Sequence, residues 1–318
     1  MSDLPARCEG RWFGILSNLG IPAVHLKNVH GPCPFCNGKD RYRWDNKDNK
    51  GRWICSQCGA GDGFDLLQKY HGWTFAQAAK EVESIVGTVK PVELPPEMTD
   101  DHRRSMLRQV WRNTSPMSMA TLDPAWSYLL NRLEGRIPKG PFKDLRQGKV
   151  SVRWRRSEGK PLDDGETCMV AVVRDPCGDP CTMHRTYIQN GKKANMPNPK
   201  ILMPGSYPEG SAIRLMPYTD ELGIAEGIET AFAASLHFNM PVWSTINAHN
   251  MDRFIAPSQV KHLHIFADND DSFTGHAAAY ACAKRNRCGP QKTRCSVWLP
   301  KNVGADWLDQ VLEVPLES

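Results

Sequence analysis

Two Cys-x-x-Cys pairs constrain this chain more than any other feature. Cys33 and Cys36 form one, Cys55 and Cys58 the other, with eighteen residues between them in "GPCPFCNGKDRYRWDNKDNKGRWICSQCGAGDG". Two thiolates three positions apart can grip one ion from a tight turn, and two such knuckles complete a tetrahedral four-cysteine shell. Four sulfurs close that shell, so the Zn2+ it implies is structural rather than catalytic. The competing readings are two disulfides or four free thiols. A spaced pair with Gly and Pro at its turns favours zinc. His30 is a conceivable substitute ligand, but four cysteines already fill the shell.

Between the knuckles lie Lys39, Arg41, Tyr42, Arg43, Trp44, Lys47, Lys50, Arg52 and Trp53. Alternation in "RYRW" predicts a strand with a cationic and an aromatic face. Arg41, Arg43 and Trp44 are therefore candidates to meet phosphates and unpaired bases. The alternative is a solvated hairpin whose aromatics pack over the knuckles. The following "GAGDGFDLLQKYHGWTFAQAAKEV" reads as a glycine turn and two helices.

A second constellation lies late in the chain. Glu226 in "LGIAEGIET" and Asp268 and Asp270 in "LHIFADNDDSFTG" each follow a short apolar run and precede a helix-like stretch, Ile228 to His237 and Thr274 to Arg287. Apolar runs bounded by turn signals predict buried parallel strands, and ligand sites in such sheets form at the strands' carboxyl ends. Three carboxylates gathered there would repel one another unless a hard divalent cation, Mg2+ or Mn2+, sat among them. Taken singly, each acid is an ordinary helix cap; the trio favours the metal. Asp306 and Asp309 in "KNVGADWLDQVL" follow a further strand. Asp306 either assists a second metal or caps the helix at Trp307. Glu229 and Asp271 rank below these acids and could orient one of them or a metal-bound water. His249, His262 and His264 lie near the sheet and read as structural, since imidazole matches Mg2+ poorly.

These acids resemble the signature of the Toprim domain of DnaG-type primases, topoisomerases and some nucleases: Glu226-Gly227 after one strand, Asp268-Asn269-Asp270 after a later one. The ribbon and its trailing helices are similar to those of DnaG-type and phage primases, and the order ribbon then Toprim is more specific than either part. "MVAVVRDPCGDPCTMHRTYIQNGKKANMPNPKILMPG" resembles the segment preceding Toprim in primases of phages and mobile elements. That match makes Arg185 and Lys200 candidates for nucleotide phosphates or template, with Lys192 and Lys193 weaker. The ribbon's Cys, where cellular primases often place one His, also points to the phage type.

The resemblance implies an α/β chain of several parts. An N-terminal four-cysteine zinc ribbon, small and β, with its helices spans 1–88, and a Pro-rich linker covers 89–100, within "TVKPVELPPEMTDD". A basic α+β subdomain spans 101–215, with "CMVAVVRD", "CTMHRTYI" and "SAIRLM" as β-like runs. A Toprim α/β domain with a largely parallel sheet spans 216–318. Net charge is only +5, yet residues 101–160 hold 14 Lys/Arg against 5 Asp/Glu, an excess of +9, leaving −4 for the rest. A basic middle beside clustered carboxylates suits a polynucleotide and a metal–nucleotide site. Arg153, Arg155 and Arg156, interleaved with Trp154, are the candidate contacts; the alternative is an Arg-rich surface that serves solubility.

No run of 18 apolar residues exists, and the start lacks an apolar signal region, so no membrane span or export is expected. The seven cysteines outside the ribbon suit a reducing cytoplasm, a bacterial host's if the chain is phage-encoded. No phosphate-binding G-x-x-x-x-G-K-[ST] occurs, so a helicase partner would be a separate protein. The expected activity is DNA-dependent RNA primase: joining ribonucleoside triphosphates on single-stranded DNA with metal held by Glu226, Asp268 and Asp270. The rivals are a Toprim nuclease, a topoisomerase (for which the chain is short), and a non-catalytic single-strand-binding replication factor.

Overall fold

The structure, a computed structural model, describes residues 4–91, 99–118, 121, 123–137, 140, 142–155, 160–196, 198–204 and 207–313. Most of the expected linker and the candidate Arg156 lie outside these residues, and nothing is described of the Arg155 side chain. The chain divides into two compact units, 1–97 and 98–318.

The first unit begins with short helices α1 (Leu4–Cys8) and α2 (Trp12–Asn18). Three short strands follow, β1 (Tyr42–Trp44), β2 (Trp53–Cys55) and β3 (Gly59–Gly61), then α3 (Gly63–His71) and α4 (Phe75–Val86). The strands pair antiparallel in chain order, Tyr42 opposite Cys55 and Trp53 opposite Gly61. Both long helices start where side chains satisfy their free amides. Asp62 with Asp65, and Thr74 with Gln77, form reciprocal capping boxes. Trp12 anchors the core by lying against the backbone at Gly51 and Gly63. A Cβ at Gly63 would stand 2.2 Å from the indole, and Gly51 holds φ +70° as well, so neither position tolerates a side chain.

The second unit opens with α5 (Asp100–Arg112), β4 (Thr114–Pro116) and α6 (Pro124–Arg132). Then come β5 (Leu145–Val150), β6 (Trp154–Arg155), β7 (Lys160–Pro161), β8 (Glu166–Arg174), β9 (Pro180–Gln189), β10 (Lys192–Lys193) and β11 (Lys200–Leu202). A mixed-length antiparallel sheet runs in the order β10-β9-β8-β5-β4, with β11 also pairing with β9. The run "CMVAVV" is buried throughout and forms the sheet's centre. The expected strand at "SAIRLM" is not one: Ala212 and Ile213 make only isolated bridges, to Arg174 and Ser244. Those bridges tie this sheet to the next.

The remaining elements are β12 (Glu221–Ala225), α7 (Ile228–Phe238), β13 (Val242–Ser244), α8 (Ala248–Asp252), β14 (His262–Phe266), α9 (Thr274–Cys288), β15 (Arg294–Trp298) and α10 (Trp307–Leu312). The four strands form a wholly parallel sheet ordered β13-β12-β14-β15. One apolar core runs from Tyr128, Leu129 and Met169 through Phe232 and Phe266 to Trp307 and Leu308. The second unit is thus continuous in packing across position 215. No described helix is long and apolar enough to cross a membrane.

Candidate metal centres

In the ribbon, the turns after β2 and before β1 bring all four sulfurs within 4.8 Å of one another. Cys33 Sγ lies 3.8 Å from Cys58 Sγ, and Cys36 Sγ 3.8 Å from Cys55 Sγ. Four sulfurs at about 2.3 Å around one zinc stand about 3.8 Å apart on the edges of a tetrahedron, so the cage fits the ion. Disulfides, which need sulfurs at about 2.05 Å, do not fit. Burial pushes the Cys55 thiol up, but the amides of Cys58 and Gln57 and the neighbouring thiols outweigh it and hold it near 7.

The candidate nucleic-acid residues of the hairpin divide. Trp44 is buried and its indole N–H donates to the Gly51 carbonyl, which corrects its expected exposure to bases. Tyr42 and Trp53 stack on each other with Phe35 at their edge, so the aromatic face of "RYRW" is the inner face. Arg41 reaches out to Gln57, and Arg43 pairs with Asp45 at 3.5 Å. Hydrophobic burial beside the cage wins for the aromatics, leaving only the cations on the solvent side.

In the parallel sheet, Glu226 follows β12 directly, Asp268 lies two residues beyond β14, and Asp306 starts α10 beyond β15. All stand at carboxyl ends of strands. The "DND" turn is fixed by its middle residue: Asn269 takes the Ala305 carbonyl with its backbone N–H at 3.0 Å and the Pro300 carbonyl with its side chain at 2.9 Å. Asp270 accepts from the amides of Thr274 (3.1 Å) and Gly275 (2.9 Å) and from Ser272, capping α9. Burial raises its carboxyl, but these donors outweigh it and lower the pKa. Asp306 Oδ1 accepts from the Leu308 and Asp309 amides in a capping box.

Asp268 differs. Its Oδ1 is buried and has no partner. Burial, then the charges of Glu226, Asp306, Asp270 and Asp309, push it up to about 7. Burial and Asp270 raise Glu226 as well, opposed by Lys200. These acids sense one another, yet among the described residues they do not converge to the 4.8 Å spacing of the cysteines. A partnerless buried oxygen amid like charges is a donor set that suits a hard divalent cation.

Glu229 does not turn toward Glu226. It is 4 % exposed and accepts from the Tyr128 hydroxyl and from Lys200 Nζ at 3.0 Å, with Lys193 Nζ at 3.8 Å. Burial raises its carboxyl, but the two ammonium groups and the hydroxyl bring it down to about 2. Glu229 thereby clamps Lys200 of β11 where its charge reaches Glu226. Chain spacing placed Glu229 one turn from Glu226, and only the lysines of β10 and β11 that meet it reveal which way it points.

Arg185 is 2 % exposed, and its guanidinium donates to the Ser151 and Leu202 carbonyls and the Tyr187 hydroxyl. It braces the antiparallel sheet, which corrects its expected contact with phosphate. Arg153 is exposed beside Asp163 at 3.5 Å, and Lys192 is exposed on β10. Trp111, not singled out in the sequence, is half exposed with the Arg146 guanidinium 3.8 Å from its ring. A Trp closing the Arg-rich α5 was its only signal. His262 and His264, read as structural, lie beside Glu221 at the opposite end of the strands from the carboxylates.

Residues 28–64 match the zinc-binding domain of primase-helicase, residues 221–314 the Toprim domain, and residues 101–215 a domain of unknown function, DUF7146. Among solved structures, the chain is similar to the zinc-binding and RNA polymerase domains of Aquifex aeolicus primase at 16 % identity. That match covers 98 % of this chain and 83 % of the other, at TM-score 0.41. It is also similar to the primase fragment of the bacteriophage T7 primase-helicase (15 % identity, 90 % and 94 % coverage, TM-score 0.39). The DnaG catalytic core matches at 12 % identity, with 67 % and 76 % coverage and TM-score 0.42. The chain carries a primase-type zinc ribbon followed by a Toprim domain.

Proposed function

We propose that this chain is a DNA primase, building short oligoribonucleotides on single-stranded DNA. The observation that carries the reading is the partnerless buried Asp268 Oδ1 among Glu226, Asp270 and Asp306, in a chain that also bears a primase-type ribbon. Glu226, Asp268 and Asp270 would hold Mg2+ or Mn2+. When bound, that metal lowers the pKa of an attacking 3′-hydroxyl and neutralises charge on the transferring phosphate. Lys200, fixed by Glu229, presents an ammonium group to a triphosphate oxygen. Asn269 holds the "DND" turn rigid against the 300–305 loop, so the carboxylates keep their spacing while substrate enters. Arg41, Arg43, Arg153 and the Trp111–Arg146 pair are the surfaces offered to the template, cations for phosphate and an indole for a base. The expected setting is the cytoplasm, with a replicative helicase as partner.

The test is incubation of the full chain with mixed-sequence single-stranded DNA, labelled ribonucleoside triphosphates and Mg2+ or Mn2+. Short oligoribonucleotides are expected from the wild type and none from Glu226→Gln. Release of mononucleotides or nicked DNA would instead establish a Toprim nuclease. Template binding without either product would make the chain a non-catalytic binding factor.

A further inference from the structure

At the amino-terminal end of the parallel sheet lies a cluster that the primase reading leaves unused. His262 and His264 are two residues apart on β14, so both rings project from one face. Glu221, which opens β12, pairs in register with His262, and Gly223 pairs with His264. The parallel register thus puts the Glu221 carboxylate on the imidazoles' face. Glu221 Oε1 stands 3.5 Å from His262 Nδ1 and 3.9 Å from His264 Nε2. One ligand atom from each of the three lies within 4.8 Å of the others. His264 Nε2 is buried and has no hydrogen-bond partner.

We propose that Glu221, His262 and His264 form a second metal site, for a divalent transition ion of the zinc class. Two imidazoles and one carboxylate suit Zn2+, and they reject Mg2+, which prefers all-oxygen shells. Nitrogen and oxygen ligands at about 2.05 Å around a tetrahedral ion stand about 3.4 Å apart, so the carboxylate at 3.5 and 3.9 Å from the two imidazoles must draw in and the three ligand atoms, all within 4.8 Å, must close around the ion. Glu221 is half exposed and can make that movement, and it leaves the fourth position open to water. The site is separate from the carboxylates at the other end of the sheet. From His264 to Asp268 is four residues of extended chain, roughly 13 Å.

The surroundings of the two histidines differ, and that difference sharpens the proposal. His262 Nε2 lies 2.9 Å from Ser296 Oγ, so with Nδ1 on the ion its remaining N–H donates to a hydroxyl, as metal-bound imidazoles require. His264 Nδ1 instead faces the Trp298 indole N–H at 3.1 Å. An indole nitrogen only donates. That contact keeps Nδ1 as the acceptor and the proton on Nε2, the atom that must ligate. Metal loading therefore moves the proton to Nδ1 and turns Trp298 away. Trp298 is 38 % exposed, which leaves it room to turn.

The experiment uses the full chain with its ribbon cysteines already loaded with zinc, titrated with Zn2+ alone by calorimetry, with tryptophan emission followed in parallel. One additional ion per chain is expected, with a change in emission and no competition from excess Mg2+. His262→Gln should weaken that second event at least ~100-fold while leaving the ribbon zinc in place. Glu221→Gln, at an exposed position that does not threaten folding, should weaken it at least ~10-fold. Trp298→Phe should strengthen it several-fold by freeing His264 to change tautomer. No second event, or one unaffected by both Glu221→Gln and His262→Gln, overturns the site. Equal affinity in Trp298→Phe overturns the proton shift. Neither result bears on primer synthesis, which depends on Glu226, Asp268 and Asp270.

Discussion

The ribbon and the parallel sheet each gather acidic ligands, and they do so in opposite ways. In the ribbon, four sulfurs already lie within 4.8 Å of one another, 3.8 Å apart in two pairs, as the corners of a tetrahedron round one ion would. In the sheet, carboxylates feel one another's charge but remain spread, and two of the four serve as helix caps. Thiolates around zinc form a closed structural shell, so convergence is favoured even at the cost of a rigid turn. The hard ion proposed for the sheet, which would also admit phosphate oxygens, calls for ligands that leave positions open. The same contrast separates what each site does: the ribbon site is part of the fold, the sheet site is held by the fold.

Cys55→Ser strains this comparison hardest. A structural zinc contributes on the order of 10 kcal/mol in small zinc modules. The variant should lose its zinc and unfold the first unit while the second keeps its helicity. Metal analysis with limited proteolysis checks this, and intact residues 4–91 without zinc would show that the aromatic core suffices.

Asp268→Asn should do the reverse: primer synthesis falls at least ~10²-fold, and the fold survives. The pH dependence follows from the sign of the shift. The folded carboxyl holds its proton up to about 7, above its ordinary value of 3.8, so metal-free protein loses stability as pH rises through that window. Metal must displace that proton, so Mn2+ affinity should climb as pH rises toward 7 and level off above it. In Asp268→Asn both trends should weaken to what Glu226, also raised by burial and Asp270, contributes. Calorimetry at pH 5.5, 7 and 8.5 decides, and a pH-independent wild type would place the metal elsewhere.

Glu229→Gln tests whether the clamp on Lys200 is part of the site or merely of the core. Removing a buried carboxylate leaves two ammonium groups facing each other, a loss of ~3 kcal/mol. Its folded pKa of about 2 lies below the ordinary 4.5, so its contribution is complete above 4.5 and fades as pH falls toward 2. The wild type should show that acid limb in denaturation and the variant should not. A variant as stable as wild type at pH 7 would remove the clamp from the account.

The smallest effect separates the two readings of Asp306. Asp306→Ala should cost ~1 kcal/mol as a lost helix cap, whereas Asp306→Asn keeps the cap and removes only charge. Full synthesis in Asp306→Asn makes the residue a cap; loss of synthesis at unchanged melting temperature makes it a metal ligand.

Local spacing made much of this legible. Cys-x-x-Cys pairs, apolar runs ending in acids, and helices opening after Gly227 and near Thr274 depend on neighbours in the chain, which a sequence displays directly. The misreadings share one cause. Trp44, Arg185 and Glu229 have side chains that can serve either solvent or interior, and the choice depends on what distant strands place beside them. "RYRW" announces two faces without saying which is inward, and Arg185 reads as a phosphate contact until Ser151 and Leu202 are seen to surround it.

The sequence by itself determined a zinc cage, a parallel sheet with acids at its carboxyl ends, and the order in which they come, because turn geometry and apolar periodicity act over a few residues. Only the tertiary structure decided that Asp268 is left without a partner, that Lys200 is held beside Glu226, and that Glu221 meets His262 and His264. Each of those depends on strand register and burial between segments tens of residues apart, where desolvation and charge, rather than spacing, determine which groups meet.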